Sequence, residues 1–387
     1  MRKLRLPLLI LVLAVGLFFA LAPRMVENSM NRVLPHAPTP ITPEGAALHA
    51  DLTVGDLHTD STLWRRDLTE RSERGHVDLP RLRAGNVALQ VFTSVTRTPA
   101  GLNYESNSTD ARDNITLLAL AQRWPPQTWG SLTERALYQG GRIAAIADAE
   151  PETLMLLRGS ADVARLLEQR DAGAQTVGAL LGIEGAHALN GDLASIDRLY
   201  GAGFRMFGLH HFFDNALGGS LHGTGGEGLS DFGKAVVQRL EERGAIIDVA
   251  HSSPQSVRDV LALTTRPLVV SHTGFQGHCP TPRNIDDALM REIAAAGGLI
   301  GVGFWDAAVC DVSPAGIAAA IRYGVALVGE DHIALGSDYD GATTVPFDVS
   351  ELAVLTDTLL QAGMAESTIR KVMGGNLSRF LTENLPQ

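Results

Sequence analysis

His58 and Asp60 stand two positions apart in Asp56-Leu57-His58-Thr59-Asp60. On an extended strand that spacing points both side chains to one side, so a single metal ion can take an imidazole and a carboxylate together. His251 and His272 follow two later apolar runs, and Glu184 closes another in Gly182-Ile183-Glu184-Gly185. Imidazole and carboxylate donors suit zinc better than calcium or magnesium. His251 and His272, on neighbouring predicted strands, can share a second ion. Two ions held close together need a bridging anion. A carboxylated lysine would serve, but the chain has only Lys3, Lys234 and Lys371, none near a strand end. Glu184 is the natural bridge, with Gly185 giving the backbone room. Asp338 ends a further run, where a carboxylate could move a proton. Arg283 offers a planar fork of donors that matches a carboxylate.

Each residue has a plainer reading when taken singly. A lone histidine at a strand end is usually packed or solvated, Asp60 could cap a helix, Asp338 could sit in a turn, and Arg283 could be a surface ion pair. The pattern argues for chemistry because six predicted strand ends carry His, Asp or Glu. His210 and His211 are adjacent, and alternation lets only one point inward. His76, His187, His222, His278 and His332 are read as structural or surface residues.

The elements that must position these groups follow from hydropathy. Eight short apolar runs occur at 54–58, 87–93, 177–183, 204–209, 245–250, 267–271, 299–304 and 332–337. Most are unbroken rather than alternating, which suits parallel strands covered on both faces. Amphipathic segments lie between them, such as the one capped by Ser230 and ending at Gly244, and others at 192–202, 254–263, 286–296 and 314–328. Eight strands alternating with helices predict an α/β fold, a (β/α)₈ barrel. It carries an insertion between strands two and three (94–176) and extra C-terminal helices (349–381). In a barrel the C-terminal strand ends converge on one face, so the scattered His, Asp and Glu residues would meet there. An open doubly wound sheet would bring a glycine-rich phosphate loop after its first strand, and the first strand here ends in His58-Thr59-Asp60 instead.

The net charge of -11 argues against nucleic acid as a partner. The two cysteines, Cys279 and Cys310, exclude a disulfide scaffold and a CxxC metal motif. They are either one disulfide or two free thiols. Residues 2–5 are basic and 6–22 are apolar and uncharged, the pattern of a removed secretory signal or an uncleaved membrane anchor. Either exports the rest of the chain, to the periplasm or the outer face of a membrane. Pro35, Pro38, Pro40 and Pro43 suggest that 23–50 is a stiff linker leading into a hydrolase domain over 51–387.

The motifs quoted above resemble the membrane dipeptidase (renal dipeptidase) family of zinc peptidases, in its bacterial-type branch. So do His211 in Leu209-His210-His211, Asp248-Val249-Ala250-His251-Ser252, Ser271-His272-Thr273, Pro282-Arg283-Asn284, Gly336-Ser337-Asp338-Tyr339-Asp340-Gly341 and Gly374-Gly375-Asn376-Leu377. Order and spacing agree along the barrel. The resemblance implies hydrolysis of a dipeptide by a metal-activated hydroxide at two zinc ions. His58 and Asp60 would hold the first ion and His251 and His272 the second, with Glu184 between them. It implies that His211 contacts substrate and polarises the scissile carbonyl, that Arg283 binds the terminal carboxylate, and that Asp338 carries the proton. It also suggests a homodimer. Phe212-Phe213-Asp214-Asn215 and the long insertion depart from the mammalian pattern and leave substrate preference open. A β-lactam or another small amide or ester is the alternative substrate for the same site; an inactive binding barrel would have lost a ligand or Asp338, and neither is lost.

Overall fold

The computed structural model describes residues 5–387, with side chains from 16 onward except Ala20. Eight parallel strands close into a barrel: β1 (Val54–Thr59), β2 (Val87–Val95), β3 (Val177–Glu184), β4 (Phe204–Gly208), β5 (Ile246–Asp248), β6 (Val269–Thr273), β7 (Leu299–Val302) and β8 (Ile333–Leu335). Closure comes from β8 pairing with β1, Leu335 against Asp56, while β2 and β3 pair over seven residues from Leu89–Gly178 to Val95–Glu184. Every strand residue is buried, which is why the runs read as continuous rather than alternating. All eight predicted runs became strands, with ends shifted by a few residues.

In the main sheet one strand had no counterpart in the sequence reading. Leu154–Leu156 pairs in parallel with the first three residues of β3, and β4 takes the same edge only from Leu181 onward. Three residues are too short to show a period. The β2–β3 insertion holds three helices, α1 (Asn114–Ala121), α2 (Leu132–Ala149) and α3 (Ser160–Asp171). Ser131 caps α2 by accepting from Glu134 N. Gly140 lets that helix lie on Phe204, because a Cβ there would fall 2.5 Å from the ring. At the other end of the barrel the C-terminal helix Asn376–Asn384 buries Leu377, Phe380 and Leu381 against Leu57 and Leu89. Asn376 holds it there by donating to Glu330 O and Ile333 O at 2.7 and 2.8 Å.

The stretch expected to be a linker, 23–50, is largely structured. A helix runs from Arg5 to Met30 with Pro23 inside it, Arg32–Val33 pairs in parallel with Thr344–Val345, and Pro43–Ala50 is a helix. Pro43 starts that helix rather than breaking it, since a missing N–H costs nothing at the first helical position. Thr42 caps it, and the helix packs on Ala353–Gln361. Within 23–50, Asn31 and residues 34–42 lack regular structure. Of the export segment expected at 1–22, positions 1–4 and the side chains of 5–15 and 20 lie outside the described residues. Among the described residues no helix is long and apolar enough to cross a membrane. Cys279 and Cys310 form a disulfide.

Candidate metal centre

The predicted site residues meet at the C-terminal rim of the barrel. His58 lies near the end of β1 and Asp60 just beyond it. Asp60 has already left the extended conformation, with φ -97° and ψ 23°, so strand alternation is not what brings the pair together. Thr93 on β2 does so: its hydroxyl donates to Asp60 Oδ1 at 2.7 Å and lies 3.3 Å from His58 Nε2. Glu184 is the last residue of β3. His211 follows β4, His251 follows β5, and His272 is within β6. Asp338 follows β8. His251 and Asp338 both hold positive φ, 61° and 59°, a conformation that costs non-glycine residues free energy and is found where function requires it.

Glu184 is the centre of the cluster. Its Oε1 lies 3.7, 3.3 and 3.4 Å from Nε2 of His58, His251 and His272. Its Oε2 lies 3.4 Å from His211 Nε2 and has no hydrogen-bond partner. His58 Nε2 is also 3.5 Å from Asp60 Oδ1 and 3.9 Å from Asp338 Oδ1, and the Nε2 atoms of His251 and His272 are 2.9 Å apart. Most of these separations are too long for good hydrogen bonds. Zinc bonds of about 2.0–2.2 Å at tetrahedral angles would space donor atoms roughly 3.3–3.6 Å apart. The donor set therefore fits metal ions. Ligand atoms within 4.8 Å of one another are offered by His58–Asp60–Glu184, by Glu184–His211–His251 and by His58–His272–Asp338. Distance alone thus sets His211 and Asp338 beside the five residues read as ligands.

Charge points the same way. Asp60, Glu184 and Asp338 are almost fully buried around one another, with Arg283 as the fixed cation beside them. Buried carboxylates need a partner or a metal. Burial, reinforced by Asp60, pushes Glu184 well above the usual carboxylate range. Burial also pushes Asp338 up to about 8, against the pull of His58. At His58 burial works downward, but Asp60 and Glu184 outweigh it and lift the ring to about 10. His251 and His272 are pulled well down by burial and by neighbouring cations, which leaves them neutral, the form that binds metal.

The histidine rings are oriented from behind. Ser271 Oγ donates to Asp248 Oδ2 at 2.6 Å, so its lone pairs face His272 Nδ1 at 2.9 Å and His58 Nδ1 at 3.3 Å. With metal bound, both Nδ1 atoms would carry the proton and both Nε2 lone pairs would face the cluster. Asp248 is itself held by Ser271 N and Ala250 N. Asp56 plays the matching part for β8 by accepting from Ser337 N and Oγ. Sequence reasoning gave Thr93, Asp248, Ser271 and Asp56 no role. The available signal was a polar residue inside or at the end of an otherwise apolar run.

Of the remaining predicted residues, Arg283 is 1% exposed. Its Nη2 donates to His272 O at 2.8 Å, its Nη1 has no partner, and its guanidinium lies 5.2 Å from the Trp305 ring centroid. His210 turns away and meets Ser252 Oγ at 2.9 Å, so His211 is the inward one. His222 is buried and stacked on Phe212, 4.9 Å between centroids. His187 is buried against Phe213. A cavity of about 500 Å³ opens over Glu184, His211, His251, Arg283 and Asp338.

A closed parallel barrel with buried imidazoles and carboxylates gathered at its C-terminal rim defines a metal-dependent hydrolase of the (β/α)₈ class. The model of the membrane dipeptidase family, peptidase family M19, matches residues 44–385, and the chain belongs to that family. It is 28% identical over 360 residues to dipeptidase aclJ of Aspergillus oryzae, covering 84% of this chain and 76% of that protein. Among solved structures it resembles dipeptidase AC, described as a metallopeptidase of family M19, with a TM-score of 0.71 at 23% identity over 87% of this chain and 99% of the other. It also resembles a metallopeptidase from Rhodobacter sphaeroides liganded with a phosphinate mimic of the dipeptide L-Ala-D-Ala, with a TM-score of 0.70 at 22% identity over 86% and 99%. At these identities the structural matches speak for the fold.

Proposed function

We propose that this protein is a dipeptidase that uses two zinc ions bridged by Glu184. The observation that carries the reading is Glu184 Oε1, which lies 3.3–3.7 Å from three imidazole nitrogens on three strand ends. His58 and Asp60 would hold one ion, and His251 and His272 the other. Zinc, when bound, lowers the pKa of water to about 7 and polarises a carbonyl oxygen.

The protein's own groups do the rest. Arg283 keeps Nη1 unpartnered beside the cavity and takes the substrate's terminal carboxylate. Burial pulls His211 down to about 4, so the ring is neutral. Its Nε2 lies 3.4 Å from Glu184 Oε2 at the cavity floor, where an Nε2–H would donate to the developing oxyanion. Burial raises the proton affinity of Asp338, to a pKa of about 8; its carboxylate would take the proton of the attacking water and then, as the acid, pass it to the leaving amine. The dipeptide mimic on the Rhodobacter sphaeroides relative supports this substrate class. We also place the protein outside the cytoplasm, exported by residues 1–22 as a cleaved signal or an anchor. The Cys279–Cys310 bond supports that placement, because disulfides persist in oxidising compartments.

The test is metal analysis of purified protein together with a panel of dipeptides, a β-lactam and an ester. Two zincs per chain, and dipeptide turnover that chelation removes and zinc restores, are expected. Turnover of the β-lactam alone would move the activity to another amide. Full turnover after metal is stripped would end the metal reading.

A further inference from the structure

The cavity over the metal centre has two unlike sides. Its floor is polar, made of the residues described above. The rest of its lining is largely apolar and includes Val26 and Met30 from the N-terminal helix, Leu63 and Trp64 after β1, and Ile115 and Leu118 on α1. The first pair comes from the stretch that the sequence marks as lying outside the barrel.

That stretch is fastened to the rim. Glu27 is 2% exposed and ion-pairs with Arg66, and with Arg74 Nε at 3.1 Å. Arg66 in turn pairs with Asp340, two residues beyond Asp338. Asn31 Oδ1 accepts from Ala342 N at 2.9 Å. Arg32 N donates to Thr343 O at 3.1 Å, and Leu34 N to Val345 O at 2.9 Å. The loop receiving these bonds carries three non-glycine residues at positive φ within five positions, Asp338, Asp340 and Ala342. Such backbone persists only when its surroundings over-determine it, and the 27–34 strap supplies part of that restraint. Val26 and Met30 are about 40% exposed, at 40% and 42%. Apolar side chains left open over a reactive floor are positioned to be covered by substrate.

We infer that residues 26–34 are a substrate-selecting strap, and that Val26 and Met30 favour dipeptides with a bulky apolar side chain. This rests on the dipeptidase reading above. Cleavage after Ala22 would leave the strap in place, so the inference holds for a removed signal or a retained anchor.

The experiment uses the full chain loaded with zinc and compares kcat and KM for a phenylalanine-bearing dipeptide and for Ala-Ala. In the double variant Val26→Ala/Met30→Ala, the kcat/KM ratio of the first substrate to the second should fall about fivefold to tenfold, through KM, because a tenfold change needs only the contact of about two methylenes. kcat on Ala-Ala should stay within twofold. Met30→Leu, which keeps the apolar bulk, should keep the ratio. Unchanged discrimination in the double variant would overturn the strap while leaving the dipeptidase reading intact. Wild-type protein that cleaves no dipeptide would overturn that reading, and this inference with it. Both positions are partly exposed, and a thermal melt confirms that the variants are folded.

Discussion

At His58, neighbouring charge matters more than the ring's own basicity. Burial favours the neutral ring, yet Asp60 and Glu184 lift it to about 10. A metal ion needs that ring neutral, so in the metal-free protein proton and metal compete. The sign follows: between pH 6 and 8 the ring is protonated, each pH unit upward removes proton competition, and zinc affinity should rise at least about tenfold per unit. Competition with a chelator at pH 6, 7 and 8 measures this, and a flat profile would refute it. Ser271→Ala removes the hydroxyl that faces both Nδ1 atoms; zinc affinity should weaken about 10–100-fold, as is usual for groups that orient metal-bound histidines. Asp338→Asn keeps size and loses the proton. Turnover should fall by about 10²–10⁴ with zinc content unchanged, and near wild-type kcat would remove Asp338 from proton transfer.

At the scale of elements, the rim depends on tight turns after short strands. Gly185 is the clearest case. Its φ is 92°, and a Cβ there would lie 2.2 Å from His187 Cε1, with the imidazole already pressed on Phe213. Gly185→Ala should destabilise the fold by about 1–3 kcal/mol and displace Glu184 next to it, so denaturant melts and zinc content should both fall. A variant with unchanged stability and metal would show that β3 does not need glycine to end as it does. The strands themselves were readable because parallel strands buried on both faces appear as unbroken apolar runs. α2 was readable only as part of an insertion between the second and third strands. Leu154–Leu156 was unreadable because three residues carry no period. The structured stretch at 23–50 was misread because proline signals a linker and a first helical turn equally well, and the packing of Pro43–Ala50 on Ala353–Gln361 settles which.

For the whole molecule, the disulfide ties the loop after β6 to the loop after β7, across 31 residues. Closing a loop of that length should stabilise the fold by about 3–4 kcal/mol in the chain-entropy account. Melting with and without reductant should show a lower midpoint in reductant, and equal midpoints would mean that the bond adds little. The two cysteines did not by themselves distinguish this from free thiols, because pairing depends on where two distant loops meet.

By itself the sequence determined the barrel and the residue types at its rim, since both arise from local patterns: eight apolar runs with amphipathic segments between them, six of them followed by a residue able to bind metal or carry a proton. The tertiary structure alone decided how those residues meet. Only there does Glu184 stand among three imidazoles, Ser271 turn two of them, and residues 26–34 fold back to roof the cavity. The physical reason is that ligation, proton affinity and cavity shape depend on distances between atoms far apart in the chain, and those distances exist only once the barrel has closed.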